Sequence, residues 1–353
     1  MQVREEKQRN EVAEPVTALT AVARPIIASV LHSISAERLQ GVESREDIPL
    51  RMLGVLRNEG DGDVGVAFEY AVHDAMANGN EAILDRVSDA LSLCRIKTDR
   101  PSSIFFAMEK AGSQRLINTQ LDLITDDSRV LSGNRGQPVK LKNYLNQLAA
   151  AFRRPSTRPN LPQSIRGLWK ADLFLGAPER EHWVGTSVRI NPRKLEGAHG
   201  LRVAIVPAQY GRSDALRKDE SRNLIVCPVP YDPTFMLIFW EGWRIVQSLM
   251  ESDFRLPADR DLPAPEHRQV AQIFAERRDL SVKDAIESTA KFAQPHLLET
   301  DARDLSALPY SAEAPAGTGT LVAPIAYGFE GDTATPPPAS VGVPASRPVR
   351  PSG

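Results

Sequence analysis

Asp172 opens the apolar run LFLG and Arg189 closes the alternating run HWVGTSVR, so if both runs are strands a carboxylate and a cation can meet at one sheet edge. In the second run Val184, Val188 and Ile190 share one face, and Ser187 and Arg189 share the other. His182 stands at the start of the same run, beside the proposed site. A further group of chemical interest is Glu69, in GVAFEYAVHDAM, where helical spacing aligns it with Val72, His73 and Met76. A carboxylate on so apolar a stripe must pair, bind a metal or reach water. These residue types suit phosphodiester hydrolysis, in which carboxylates hold a divalent metal that polarises phosphate and activates water, and a cation stabilises the developing charge.

Upstream, residues 129 to 171 carry nine basic side chains and no acidic one: Arg129, Arg135, Lys140, Lys142, Arg153, Arg154, Arg158, Arg166 and Lys170. A stretch of average composition would hold several acids. The block therefore reads as an anion-facing approach, with interspersed Ser, Asn, Gln and Tyr144 suited to phosphate contacts. Any such footprint is local, because the chain's formal net charge is only −2, which excludes a polycation. SGNRGQ at 132 to 137 adds a GxxG loop of the kind that approaches a backbone phosphate.

The elements that must position these groups follow from periodicity and punctuation. Residues 1 to 12 read as a solvated arm, followed by helical stretches VTALTAVARPIIASVLHSI, which Pro25 should kink or break, and IPLRMLGVLRN. Asp63 is a candidate N-cap and Gly79 a stop for the helix bearing Glu69 and His73, and EAILDRVSDALSL is a second helix. RLINTQLDLIT reads as a strand, and PVKLKNYLNQLAAAF as a helix before the proline-rich loop RRPSTRPNLPQ. From 168 four β runs follow, LWKADLFLG, HWVGTSVRIN, LRVAIVPA and NLIVCPVP, then the helix TFMLIFWEGWRIVQSLM, in which Phe235, Phe239, Trp240 and Trp243 read as core. The expectation is an α/β (α+β) protein with a mixed sheet flanked by helices: a helical region at 1–62, a core at 63–255, a helical region at 256–310 and a Pro/Ala/Gly-rich tail at 311–353.

Cys94 and Cys227 lack disulfide-framework or zinc spacing, no HExxH, P-loop or GxSxG motif is present, and no GxGxxG follows a strand. Residues 234 to 250 come nearest to a membrane span but are interrupted by Glu241 and Arg244, so a cytoplasmic protein with no membrane partner is expected.

Glu69 in a helix, Asp172 opening a strand, and Ser187-Val188-Arg189 on the next strand resemble the PD-(D/E)XK, or restriction-endonuclease-like, nuclease superfamily. The likeness spans roughly residues 63 to 250 and rests on short, degenerate motifs. It implies a restriction-endonuclease-like fold, Asp172 and Glu69 as ligands to Mg²⁺ or Mn²⁺, and a catalytic set of Asp172, Glu69, Ser187 and Arg189. It also implies DNA as the partner, held by Arg135, Lys140, Lys142, Arg153, Arg154, Arg158, Arg166 and Lys170. Ser187 stands where the family has an acid, and Arg189 where it has a lysine. Arginine clamps an anion but does not act as a base, so Lys170, Lys194 or neither would fill that role. The family's settings are restriction, repair and anti-phage defence, with any ATPase supplied by a separate subunit. The alternatives are a degenerate nuclease-fold module that binds nucleic acid or scaffolds a defence complex, and a structural or assembly protein.

Overall fold

The computed structural model describes residues 14–39, 42, 44–57, 63–106, 123–131, 138–209, 213–230 and 235–293. Arg135, the SGNRGQ loop, most of RLINTQLDLIT and the tail from 311 lie outside the described residues. Eight helices are described: α1 (Glu14–Ser33), α2 (Leu53–Leu56), α3 (Asp63–Ala77), α4 (Glu81–Leu93), α5 (Leu141–Arg153), α6 (Met236–Glu251), α7 (Pro265–Ala275) and α8 (Val282–Ser288). Gly79, at φ +80, turns the chain out of α3, and Asn80 then caps α4 by accepting the Ile83 N–H at 3.1 Å. Helix α1 runs unbroken through Pro25, because its buried stripe, including Leu19, Ile26 and Val30, packs against neighbours on both sides of the proline.

The strands are β1 (Ser102–Phe105), β2 (Arg129–Val130), β3 (Val139–Lys140), β4 (Leu173–Ala177), β5 (His182–Val188), β6 (Leu201–Pro207), β7 (Arg217–Asp219) and β8 (Leu224–Val229). They form one open mixed sheet in the order β1-β4-β5-β6-β8-β7, with β2 against β5 and β3 against β2. β4 and β5 are an antiparallel pair, whereas β5, β6 and β8 run parallel. The expected α/β class is therefore observed, and all four β runs read from 168 onward are strands of this sheet.

Alternation along the strands divides the core between two faces. One face, with Leu173, Leu175, Val184 and Val188, packs with residues of α1, α3, α4, α6 and α7. The other, with Phe174, Trp183, Ala204 and Val226, lies under α5 and the turns from Leu161 to Leu168. Gly242 allows α6 to approach α1, since a Cβ there would stand 2.3 Å from Val22 Cγ1.

Three expectations change in detail. Phe235, Phe239 and Trp243 are core, but Trp240 points outward at 37% exposure. RRPSTRPNLPQ is wound largely into 3₁₀ turns rather than open loop. Among the described residues, the segment long and apolar enough to span a membrane by length and composition is Pro15–Ser33, and 67% of its apolar 18-residue window is buried within the structure. Cys94 and Cys227 are both buried and unlinked.

Candidate functional site

Asp172 is fixed before its side chain does anything. Its N–H donates to the Thr186 carbonyl at 2.8 Å, and its own carbonyl accepts the Phe106 N–H at 2.9 Å, so the residue is clamped between β5 and the end of β1. The side chain is fully buried. Its Oδ2 accepts the Val188 N–H at 2.9 Å, the Ser187 hydroxyl at 3.3 Å and Arg189 Nη1 at 2.5 Å.

Glu69 arrives from α3, packed on the sheet's helical face. Its Oε1 lies 3.2 Å from the same Arg189 nitrogen, which also donates to the Val188 carbonyl at 2.7 Å. Glu69 is 8% exposed at the side chain, against 31% for Arg189. All four residues of the expected set thus converge, and they do so where β5 leaves the sheet. There Arg189 N–H bonds the Ile205 carbonyl of β6. This is the carboxyl end of the parallel strands β5, β6 and β8, the edge outside which open α/β sheets bind ligands.

Two carboxylates thus face one guanidinium. Arg189 is pinned through Nη1, while its Nε and Nη2 have no partner among the described residues, so the outer edge of the guanidinium can receive an anion.

The metal implied by the resemblance can be tested against this donor set. Among the described residues, no three His, Cys, Asp or Glu side chains form a metal-holding group. Mg²⁺, however, is commonly held by one or two carboxylates, with waters and substrate phosphate completing the shell. Two carboxylates that reach one nitrogen atom fit such an ion, on condition that Arg189 withdraws.

The neighbouring histidines part company. His73, one turn beyond Glu69, sits with Nδ1 2.8 Å from Ser103 Oγ and its ring against Phe105, tying α3 to β1. Burial lowers its pKa to about 4, so it is neutral near pH 7. His182 does not take the place beside the site that its sequence position suggests. It pairs instead with Ala177, at the far end of the β4–β5 ladder, because an antiparallel pair puts the start of one strand beside the end of the other.

The basic block is less free than its composition suggests. Lys140 pairs with Asp127, Lys142 with Asp126 and Lys170 with Glu196, at 3.3, 2.8 and 2.6 Å, using two acids just before the acid-free stretch and one well beyond it. Arg158 stacks 3.5 Å from the Trp169 ring and donates Nε–H to the Ala151 carbonyl. Arg153, Arg154 and Arg166 are exposed, as are Arg193 and Lys194 on the turn after Arg189. Lys170, one candidate for the family's lysine, is thus engaged by Glu196, and no bond from it to Asp172 is described.

Reasoning from sequence did not anticipate the backbone N–H of Val188 as a partner of Asp172, and a main-chain donor leaves no mark in residue type. Nor did it foresee Ser103 as the partner of His73. No protein-family model matches the chain, and no curated protein or solved structure matches it.

Proposed function

We propose that the chain is a restriction-endonuclease-like nuclease whose sheet edge binds a DNA phosphodiester and cleaves it with Mg²⁺ or Mn²⁺. The observation that carries this reading is the meeting of Glu69 and Asp172 around one nitrogen of Arg189, with Glu69 brought from 120 residues away to the β4–β5 pair. Glu69 and Asp172 would hold the metal, which when bound supplies Lewis-acid polarisation of the phosphate and an activated water. Arg189, released from the carboxylates, clamps a non-bridging phosphate oxygen with its outer edge, and the Ser187 hydroxyl orients water. Arg153, Arg154, Arg166, Arg193 and Lys194 form the exposed cationic approach.

A second reading rests on a specific feature of the same geometry. Arg189 already fills the position of a cation between the two carboxylates, and Ser187 supplies no negative charge. On that reading the chain is a degenerate nuclease-fold module that binds nucleic acid without cutting it.

A cleavage assay on plasmid, linear and single-stranded DNA, with Mg²⁺ or Mn²⁺, separates the two when wild type is run beside Asp172→Asn, a nearly isosteric change. Metal-dependent cleavage that disappears in Asp172→Asn supports the nuclease. Binding at low salt without cleavage by either protein supports the module. Absence of binding to DNA and RNA at low salt, where phosphate contacts are strongest, would overturn both and leave a structural or assembly role.

A further inference from the structure

Of the three charged groups that meet at the sheet edge, Arg189 is the one well open to water: its side chain is 31% exposed, against 8% for Glu69 and 0% for Asp172. The guanidinium therefore covers the two carboxylates, and a second cation meets them only after it has moved. The main chain at this point is held, because the Arg189 N–H is tied to the Ile205 carbonyl of β6. Movement is thus open to the side chain alone.

The hydrogen bonds of that side chain are unevenly spread. Nη1 carries two hydrogens and meets three acceptors: Asp172 Oδ2 at 2.5 Å, the Val188 carbonyl at 2.7 Å and Glu69 Oε1 at 3.2 Å. These acceptors cannot each have a hydrogen of their own. Nε and Nη2 hold the other three hydrogens and have no partner among the described residues, although together they form the planar edge that suits two oxygens of one phosphate. Arg158 shows the opposite arrangement, with Nε–H spent on the Ala151 carbonyl and the guanidinium stacked on Trp169, as befits a fixed structural cation.

Withdrawal of Arg189 alone would strand two buried carboxylates, which is costly. Exchange for a divalent cation offsets that cost, and an anion on the outer edge gives the departing guanidinium two new hydrogen bonds in place of contacts that were shared. Each event therefore favours the other, and the coupling is reciprocal.

We infer that Arg189 is a displaceable plug, which yields the Glu69–Asp172 pair to a divalent cation when a phosphodiester takes up its outer edge. The inference rests on the nuclease reading for the identity of the two ligands, and adds that they bind cooperatively. On its own the chain holds metal weakly, and the nucleic acid loads the site.

The test measures Mn²⁺ bound to the full-length chain from the loss of the free-ion EPR signal. It is run with and without a short, nuclease-resistant phosphorothioate duplex, whose own Mn²⁺ uptake is subtracted and whose binding is followed by fluorescence anisotropy. Bound duplex is expected to tighten Mn²⁺ binding by wild type about fivefold or more, within the range of about 5- to 150-fold usual for coupled sites. Without DNA, Arg189→Met is expected to bind Mn²⁺ about fivefold or more tighter than wild type, because no side-chain cation competes for the carboxylates. Arg189→Lys keeps a cation beside Asp172, which covers the case in which Arg189→Met does not fold; lacking the planar fork, it should lose most of the DNA-induced tightening. A folded Arg189→Met that binds Mn²⁺ no more tightly than wild type, or a bound duplex that leaves wild-type Mn²⁺ affinity unchanged, would overturn the plug even if the chain cuts DNA. Coupling without cleavage would instead count against the nuclease reading and leave the plug standing.

Discussion

The carboxylate–guanidinium cluster and the basic approach are both concentrations of charge, but they are built in opposite ways. The cluster draws Glu69, Asp172 and Arg189 from α3, the head of β4 and the end of β5 into a place where Asp172 is wholly out of water. The basic approach is continuous in sequence and lies on the surface, where its lysines meet Asp126, Asp127 and Glu196 at exposed positions. Charges removed from water depend strongly on each other, and removing one partner strands the rest. Charges left in water are nearly independent of their partners. The cluster therefore governs the integrity of the sheet edge, and the approach governs only what the edge attracts.

Arg189→Ala breaks the contrast most directly, since it leaves Asp172 buried without its cation. A destabilisation of about 3–5 kcal/mol in urea unfolding is expected, with a large part restored by adding Asp172→Asn. A change below about 1 kcal/mol would place the cluster with the surface pairs.

The pH dependence of stability comes next. His73 is lowered from 6.5 to about 4 by burial, so the unfolded chain takes up its proton first. Its contribution is intact above about pH 6.5 and is lost as pH falls toward 4, by up to about 3 kcal/mol. Urea midpoints across that range should fall less steeply in His73→Asn.

Replacing Arg153, Arg154 and Arg166 together by Ala should change stability by less than about 0.5 kcal/mol per site. On the proposed function the same variant weakens DNA binding and flattens its salt dependence, by about 0.9 in log–log slope for each phosphate no longer neutralised. An unchanged slope would remove these residues from the interface. Smallest of all, Lys142→Ala breaks the pair with Asp126, both of whose side chains are mostly exposed, and should leave the urea midpoint indistinguishable from wild type.

The same contrast marks how far the sequence can be read. The four β runs, the helices α3, α4 and α6, and the meeting of Asp172 with Arg189 follow from period and spacing, because a strand's alternation and a helix's stripe are local properties. Glu69 is recoverable because a carboxylate on an apolar stripe calls for a partner. The pairing of Lys140, Lys142 and Lys170 is not, because a count along a window cannot see acids that fold back onto it from either side. His182 is misplaced for a related reason: nearness in sequence to a site residue becomes distance once a strand runs away from it. The two-residue strands β2 and β3 are too short to carry any period, and their pairing is set by β5.

The β4–β5 pair also sets an order of assembly. Asp172 meets Ser187, Val188 and Arg189 across a loop of 15 to 17 residues, whereas Glu69 lies 120 residues from Arg189. Closing the short loop costs the chain less entropy, so this half of the cluster can form with the hairpin while the Glu69 pairing waits for α3 to dock. Interactions made after the rate-limiting barrier show themselves in unfolding rather than folding. Glu69→Gln should therefore shorten the lifetime of the native state and leave the refolding rate almost unchanged, making α3 the late-closing latch on a sheet edge that is already paired.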